Sequence, residues 1–416
     1  MFNSLSISDE VISELAKFIN AKNNTHYPIS INTVENTSTT PHYYEPVPFT
    51  SIDCSNKKYY AIDGSYNSQE FGNGLYIGLY CAGYVCFHKG KEVKLNDSNN
   101  PLLNGVKYLP NNVISTCDEE FNYILEEFLE LQPIKNFLNF LGDSFEDICV
   151  WSKDILCSSF SKLLSTCQNI LEWALVYEVS NRSEINSGDI ILRDGNLRSK
   201  DIKSKYLAKL AKHLKSKQIH IIAITKKSKL KMELAYTFRQ IDNHLQNKLK
   251  FTYPFSATRN TNKKLCCWFE IPEDVLLGAF GGNRKGNVTY AKKSFGNNGG
   301  FGLFFATRLD YVEKLQNFDW AIADLNILDA MPNIELNNTN IDFDFLRDIF
   351  IELTHLTQEH YILGYPYPLV EAHNFVTLKN SFNDELVARI KYYLYKDQYI
   401  DHVDIENLFL DIHNYF

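Results

Sequence analysis

Two Asp-Gly pairs lie where their carboxylates could bind a divalent metal ion. Asp63 in YYAIDGSY and Asp194 in DIILRDGNL each end a short apolar segment that predicts a strand, and a predicted turn follows each of them. Two such acids at one sheet edge would repel each other unless a cation lay between them. Carboxylate oxygens suit Mg²⁺ or Mn²⁺. Because Asp-Gly is also favourable in turns, two unrelated turns are the alternative.

A predicted helix between these aspartates, QNILEWALVYEV, contributes two glutamates, Glu172 and Glu178. The apolar spacing places Glu172 beside the packed stripe, so its side chain could reach inward toward a metal ion. Glu178 stands before the loop NRSEINSG and is the second candidate. Most glutamates on helices are solvated, so either residue could instead belong to a surface.

A histidine near the C-terminus, His373 in GYPYPLVEAHN, follows two prolines that stiffen the chain. Its imidazole could bind a metal ion or donate a proton to a leaving oxygen. A structural or surface histidine is the alternative. Glu371, two positions earlier, could be its partner or an unrelated surface acid, and the sequence leaves both open.

Basic residues are concentrated in one segment. The formal net charge is -8, yet residues 193–232 carry +11, which leaves -19 for the rest of the chain. An acidic total argues against a nucleic-acid partner, whereas a local basic segment could contact phosphate groups. A solvated helix face is the alternative. The candidate phosphate contacts are Lys205, Lys209 and Lys212 on a helix, Lys226, Lys227 and Ser228 after a strand, and Arg284 and Lys285 in the loop GGNRKGN.

The elements that must position these residues alternate between strand and helix. Residues 59–93 predict strands broken near Gly90, with GSYNSQEFGNG as a turn, and residues 120–148 and 157–180 predict helices. GDIILRDG and IHIIAIT predict strands separated by an amphipathic helix, an order typical of parallel strands joined by crossovers. The final ninety residues predict mainly helix. One α/β core with insertions fits this order better than independent domains.

The composition is that of a globular protein, with 44% hydrophobic and 22% charged residues. Nine cysteines without a C-x-x-C pair predict reduced thiols rather than a disulfide framework or a zinc ribbon. The N-terminus does not have the pattern of a signal peptide, and the apolar segments are too short to span a bilayer. We therefore expect a soluble, cytoplasmic protein.

The order of these motifs resembles that of the NurA nuclease family over most of the chain, from about Tyr59 to His373. The resemblance assigns Asp63 and Asp194 to the two motif aspartates and Glu172 to the family glutamate, with Glu178 still possible. The lysine-serine element and the terminal motif correspond to Lys226, Ser228, Pro368, Ala372 and His373. Asn196 follows the second Asp-Gly where the family more often has serine.

The resemblance implies an RNase H-like mixed sheet with flanking helices and inserted helical and β elements. It also implies a Mn²⁺- or Mg²⁺-dependent deoxyribonuclease, acting as an exonuclease, an endonuclease or both. The implied metal ligands are Asp63, Glu172, Asp194 and His373, and Lys226 joins them as a catalytic residue. The implied segments are an N-terminal helix and extension (1–55), a nuclease core (56–380) and a C-terminal helical segment (381–416).

The same resemblance implies binding to DNA, a homodimer and a HerA-like hexameric ATPase as partner, in DNA end processing or defence against phage. Two other classes compete with this interpretation. A strand followed by Asp-Gly-Ser and a hairpin also resembles the phosphate-binding hairpin of actin-like ATPases and sugar kinases, which ATP binding would reveal. The second competing class is a non-catalytic DNA-binding subunit that anchors the ATPase. In that case the segment DHVDIENLFLDIHNYF could be the docking helix, or it could simply be packed core.

Overall fold

The computed structural model divides the chain into two compact units, which are described separately. The site unit comprises Ser55–Asp194, Ser199–Ile221 and Pro368–Phe416, and the second unit comprises Met1–Cys54, Gly195–Arg198 and Ile222–Tyr367. The structure describes residues 13, 16–17, 20, 41–44, 57–71, 76–95, 105–108, 114–115, 121–225, 228–247, 266–271, 275, 303–309, 321–326, 343–358, 365–378 and 380–396.

Within the described residues, the strands of 58–93, the helices of 121–148 and 160–180 and the strand-helix-strand order of 190–225 agree with the sequence, which does not predict the short strands at 42–44, 105–108 and 114–115. The strands are β1 (His42–Tyr44), β2 (Lys58–Glu70), β3 (Tyr76–His88), β4 (Lys91–Val93), β5 (Gly105–Tyr108), β6 (Ile114–Ser115), β7 (Ile190–Asp194), β8 (His220–Thr225), β9 (Cys266–Glu270), β10 (Leu303–Arg308) and β11 (Ala321–Asn326). The helices are α1 (Phe121–Glu130), α2 (Gln132–Leu141), α3 (Phe145–Ile148), α4 (Lys153–Cys157), α5 (Phe160–Ser180), α6 (Ser204–Ser216), α7 (Lys229–Glu233), α8 (Ala235–Asn247), α9 (Phe343–Gln358), α10 (Tyr367–Val376) and α11 (Asn380–Lys396).

A mixed sheet forms the centre of the site unit, with the strand order β7, β2, β3, β4. Strands β2 and β3 pair antiparallel over thirteen residues each, and β4, β5 and β6 also pair antiparallel with β3. Strand β7 pairs parallel with β2. The amide of His220, at the start of β8, donates to the carbonyl of Asp189, which places the starts of β7 and β8 side by side. The α/β fold with a mixed sheet and flanking helices is confirmed.

The prediction of a turn directly after Asp63 is wrong. Strand β2 continues through the predicted turn as far as Glu70, and Asp63 pairs with Gly83 in the middle of the ladder. The Gly, Ser and Asn residues of GSYNSQE indicated a turn from composition alone. Thirteen consecutive pairs with β3 override that local preference. The residues before and after Asp63 are therefore both paired with β3, which fixes the backbone at Asp63.

Helix α5 covers one face of β2 and β3. Its N-terminus is capped by Ser159, whose side chain accepts a hydrogen bond from the amide of Lys162. Phe160 and Leu164 pack directly over Gly78 of β3, where a Cβ atom would lie 2.4 and 2.5 Å from their side chains. This close packing positions Glu172, in the middle of the same helix, over the sheet.

Helix α6 confirms the predicted amphipathic pattern of the basic segment. Tyr206, Leu210 and Leu214 are buried at successive turns of the helix, and Ile202 just before it is buried as well. Lys205 and Lys212 occupy exposed positions. The apolar stripe therefore packs inward as expected.

In the second unit the strand order is β1, β9, β10, β11, β8, and β9 pairs antiparallel with both β1 and β10. Strand β8 enters this unit at Ile222. The buried Trp268 of β9 stacks on His42 of β1 and on Phe350 of α9, with ring centroids 4.3 and 5.0 Å apart. These aromatic contacts connect the short strand β1 to the core of its unit.

Each of the seven cysteines that the structure describes is a reduced thiol, as predicted. None of the helices in the described ranges combines the length and apolar character that a bilayer crossing requires.

Candidate metal centre

Asp63 and His373 meet directly although they are 310 positions apart. Asp63 is 6% exposed, and its Oδ1 atom accepts a hydrogen bond of 2.8 Å from the amide of Gly64. Its Oδ2 atom lies 2.9 Å from Nδ1 of His373 on α10. The His373 side chain is 53% exposed. The pair therefore joins a buried carboxylate to an imidazole at the surface of the site unit.

Asp194 completes a group of three potential metal ligands. It is the last residue of β7, and the parallel register that ends with Ile62 opposite Arg193 brings Asp194 beside Asp63. One ligand atom each of Asp63, Asp194 and His373 lies within 4.8 Å of the others. Ligands on opposite sides of a divalent ion with oxygen ligands are about 4 to 5 Å apart, so these three residues fit such an ion.

Gly195 gives the second Asp-Gly pair the turn that the sequence predicts. Its φ of 104° lies in the region that favours glycine, and its amide donates to the carbonyl of Ile224. The chain therefore leaves the strand immediately after Asp194. Here Asp-Gly makes the predicted turn, and its aspartate also belongs to the group of potential metal ligands.

Glu172 lies next to this group but has partners of its own. Its Oε2 atom is 2.5 Å from Nη2 of Arg193, and its Oε1 atom accepts a hydrogen bond from the side-chain amide of Gln168. The Arg193 guanidinium also lies 4.7 Å from the ring centroid of Trp173. Glu172 is not in the group of three, yet its carboxylate lies over Gly64, the residue after Asp63. From that position it could join the coordination of an ion.

The pKa of Glu172 is raised from its ordinary value to about 7. Burial is the main cause, because the ionised carboxylate loses its hydration. The neighbouring guanidinium of Arg193 lowers the pKa, while the negative charges of Asp63 and Asp194 raise it further. A concentration of negative charge of this kind is what a bound cation would stabilise.

This raised pKa predicts a pH-dependent stability of the metal-free protein. Glu172 binds a proton more tightly in the folded chain than in the unfolded chain, so the free energy of unfolding should fall as pH rises from the unfolded pKa of 4.5 to the folded pKa of about 7. Glu172→Gln removes this loss. Between about pH 5 and pH 8 the stability of the variant should gain up to about 3 kcal/mol on that of the parent.

Denaturant unfolding in the presence of a chelator measures this difference. Glu178→Gln, on the same helix, is the matched control, and its stability relative to the parent should change little over the same range. A constant difference between Glu172→Gln and the parent at every pH would contradict the raised pKa.

Gly64 has a steric role in this site. A Cβ atom at this position would lie 2.6 Å from both Nε2 of Gln168 and Oε1 of Glu172. Glycine at position 64 therefore leaves room over β2 for the ends of the Gln168 and Glu172 side chains of α5.

Gly64→Ala is therefore expected to displace the Glu172 carboxylate. Because the clashing atoms are the ends of flexible side chains, the cost in the free energy of unfolding should be at the low end of that for overpacking, about 1 kcal/mol. Thermal unfolding of the metal-free variant would measure the cost. Because removal of the Gln168 side chain eliminates two of the three closest contacts, Gly64→Ala/Gln168→Ala should recover part of the loss. An unchanged melting temperature of Gly64→Ala would contradict the close packing.

Glu178 has a different environment. The hydroxyl groups of Tyr84 and Tyr108 donate hydrogen bonds of 2.9 to 3.0 Å to its carboxylate. Arg182 in turn donates to the hydroxyl of Tyr84 at 2.7 Å. These contacts connect α5 to β3 and β5. Of the two glutamates that the sequence left open, Glu172 is therefore the one that lies beside the aspartates.

The structure describes some of the predicted phosphate-contact residues but not all of them. The ammonium group of Lys205 is 4.0 Å from Asp143, and Lys209 donates to the carbonyl of Leu141, so both contact the chain at or just after the C-terminal end of α2. Ser228 caps α7 and accepts from the amide of Leu230. The remaining candidates Lys226, Lys227, Arg284 and Lys285 lie outside the described residues. A role of this set in DNA binding stays a prediction.

Two residues of the site were missed in the sequence. In the sequence Arg193 contributes only to the charge of the basic segment, and no motif indicates Gln168. Arg193 is 5% exposed and belongs to the buried strand β7. A charged residue inside the apolar segment IILRD was a usable signal, because a buried arginine requires a partner.

Comparison with known proteins agrees with the geometry. The sequence profile of the NurA domain matches residues 57–378, which include the three potential metal ligands and Glu172. No curated protein and no solved structure matches the chain. The profile covers most of the 416 residues. The chain therefore belongs to the NurA family of nucleases.

Proposed function

We propose that the protein is a deoxyribonuclease that depends on a divalent metal ion. The observation that supports this most is the convergence of Asp63, Asp194 and His373 within 4.8 Å of one another. Two carboxylates repel each other, so their close approach is unfavourable in a purely structural cluster. A divalent ion bound between them removes this repulsion. The membership in a nuclease family agrees with this assignment.

The three residues would hold the ion, and the chemistry follows from their positions. A bound divalent ion would activate water and stabilise charge on the phosphate and the leaving oxygen. The buried Asp63 and the strand-end Asp194 keep fixed positions because the β-sheet holds their backbones. The half-exposed His373 is the member most open to substrate, and in place of binding the ion it could donate a proton to the leaving oxygen. An imidazole among the ligands favours Mn²⁺ over Mg²⁺.

DNA is the proposed substrate because of the charge distribution and the family. Residues 193–232 carry +11 in a chain whose formal net charge is -8. Asp194, a member of the site, lies in this segment, which continues into the lysines of α6. Binding of DNA through these lysines should weaken steeply with salt as counterions are released.

The biological setting is proposed from the family alone. It comprises a homodimer, a HerA-like hexameric ATPase as partner, a cytoplasmic location, and a role in DNA end processing or in defence against phage. Copurification with an ATPase of this kind would test the partner.

The function is tested by cleavage of single- and double-stranded DNA labelled at the 5′ or the 3′ end. We expect cleavage with Mn²⁺, weaker cleavage with Mg²⁺, and none with a chelator. The position of the label shows whether products arise from an end or from internal cuts. Cleavage that persists in the chelator, or no cleavage with any divalent ion with or without the ATPase, would contradict the proposal.

A further inference from the structure

The C-terminal end of α10 is attached to the sheet beside Asp63. Asp63 pairs with Gly83 of β3, and Gly83 pairs with Lys107 of β5. Directly opposite residues of antiparallel strands lie on the same face of a sheet. Asp63 and Lys107 are therefore on one face, with their Cα atoms about 10 Å apart across a strand that has no side chain between them.

The ring of Phe375 on α10 packs against two glycines of this region. A Cβ atom at Gly83 would lie 3.1 Å from Cε1 of Phe375, and a Cβ atom at Gly105 would lie 3.2 Å from the same atom. Both contacts are tighter than ordinary van der Waals distances. Because Gly83 of β3 and Gly105 of β5 have no side chains, the sheet leaves space there for the phenyl ring of Phe375.

Lys107 fixes the same turn of the helix. Its ammonium group donates to the carbonyl of Phe375 at 3.1 Å and lies 5.8 Å from the centre of the Phe375 ring. A cation at a helix C-terminus is favourable because it meets carbonyl groups that have no helical partner. Cys81 contacts the carbonyl of Val376 through its sulfur at 3.0 Å. Strands β3 and β5 therefore hold the last turn of α10 at two successive carbonyls.

His373 lies within this anchored turn. Its side chain is 53% exposed, so packing of the imidazole itself does little to fix its position. The distance of 2.9 Å to Asp63 then depends on where the helix places the backbone of residue 373. The carbonyl of His373 also accepts from the amide and the hydroxyl of Thr377, which extends the fixed turn.

We infer that Lys107 and Phe375 are positioning residues that hold His373 against Asp63 for metal binding. This inference rests on the proposed function, since it concerns the same site. Neither residue belongs to the three ligands, and neither was indicated by the sequence motifs. Residues that orient a metal ligand typically change metal affinity by roughly 10- to 100-fold when they are replaced.

A double-mutant cycle on Mn²⁺ affinity, measured by calorimetry without DNA, tests the inference. Lys107→Met should weaken Mn²⁺ binding about tenfold, and Lys107→Arg, which keeps a charged donor, should restore most of it. In a His373→Ala background, Lys107→Met should have little further effect, because the ligand that it positions is gone. Phe375→Leu should show the same dependence on His373 and provides the test if Lys107→Met fails to fold.

The outcomes separate this inference from the proposed function. If the parent protein binds no Mn²⁺ and cuts no DNA, both are wrong. If the parent binds and cuts, but Lys107→Met and Phe375→Leu leave the affinity unchanged or lower it equally with and without His373, only the positioning role is wrong. Loss of affinity that requires His373 supports it.

Discussion

Asp63→Asn should abolish metal-dependent DNA cleavage, with a loss of roughly 10³-fold or more, while the protein stays folded. The amide has the shape of the carboxylate and its oxygen can still accept from the amide of Gly64. It loses the negative charge with which Asp63 would bind the ion, and it belongs to the group with Asp194 and His373. Cleavage rates in Mn²⁺ and circular dichroism of the same samples measure the two effects.

Asp189→Asn is a matched control for this variant. Asp189 is 1% exposed and lies just before β7, where its carboxylate accepts from the amides of Lys58 and Asn186. It is a buried aspartate of the same sheet region without a place in the ligand group. Asp189→Asn should keep cleavage at temperatures where it is folded. Equal cleavage by Asp63→Asn and the parent would show that the metal assignment is wrong.

Arg193→Met should destabilise the metal-free protein by roughly 3 kcal/mol at about pH 8. The substitution removes the guanidinium 2.5 Å from Glu172 and leaves a buried carboxylate without its counterion. The loss should be smaller at about pH 5, because the pKa of Glu172 is about 7 even with Arg193 present and the carboxyl group is then protonated. Urea unfolding in a chelator at both pH values measures the effect.

Two further variants identify the cause of this loss. Arg193→Lys keeps a positive charge and should retain part of the stability. Arg193→Met/Glu172→Gln has no buried carboxylate and should be more stable than Arg193→Met alone at the higher pH. If the double variant were as unstable as Arg193→Met, the loss would come from packing against Trp173 rather than from the unpaired charge.

The sequence predicts those parts of the site whose signals are local. The sequence predicts Asp194 at a strand end followed by a turn, and the structure agrees because the apolar residues IIL begin β7 and Gly195 has a φ of 104°. The amphipathic helix α6 was equally readable from its four-residue spacing. Such elements follow from periodicity and from turn residues close in the chain.

Contacts between distant segments could not be predicted in this way. Gly64 was interpreted as a turn residue, whereas its small size serves the approach of α5 to β2. The choice between Glu172 and Glu178 depended on Tyr84, which is 94 positions from Glu178. His373 and Asp63 were connected by the family resemblance, since nothing local indicates a contact over 310 positions. Tertiary packing decides each of these cases.

Asp63, Asp194 and His373 are proposed to bind a divalent metal ion. Anomalous diffraction from crystals of the full chain soaked in Mn²⁺ would test it most directly. We expect a manganese peak about 2.0 to 2.4 Å from a carboxylate oxygen of Asp63, from one of Asp194 and from a ring nitrogen of His373. The peak should be lost in Asp63→Asn crystals. A manganese ion bound elsewhere in an active protein, with none of these three residues as a ligand, would contradict the proposed metal site.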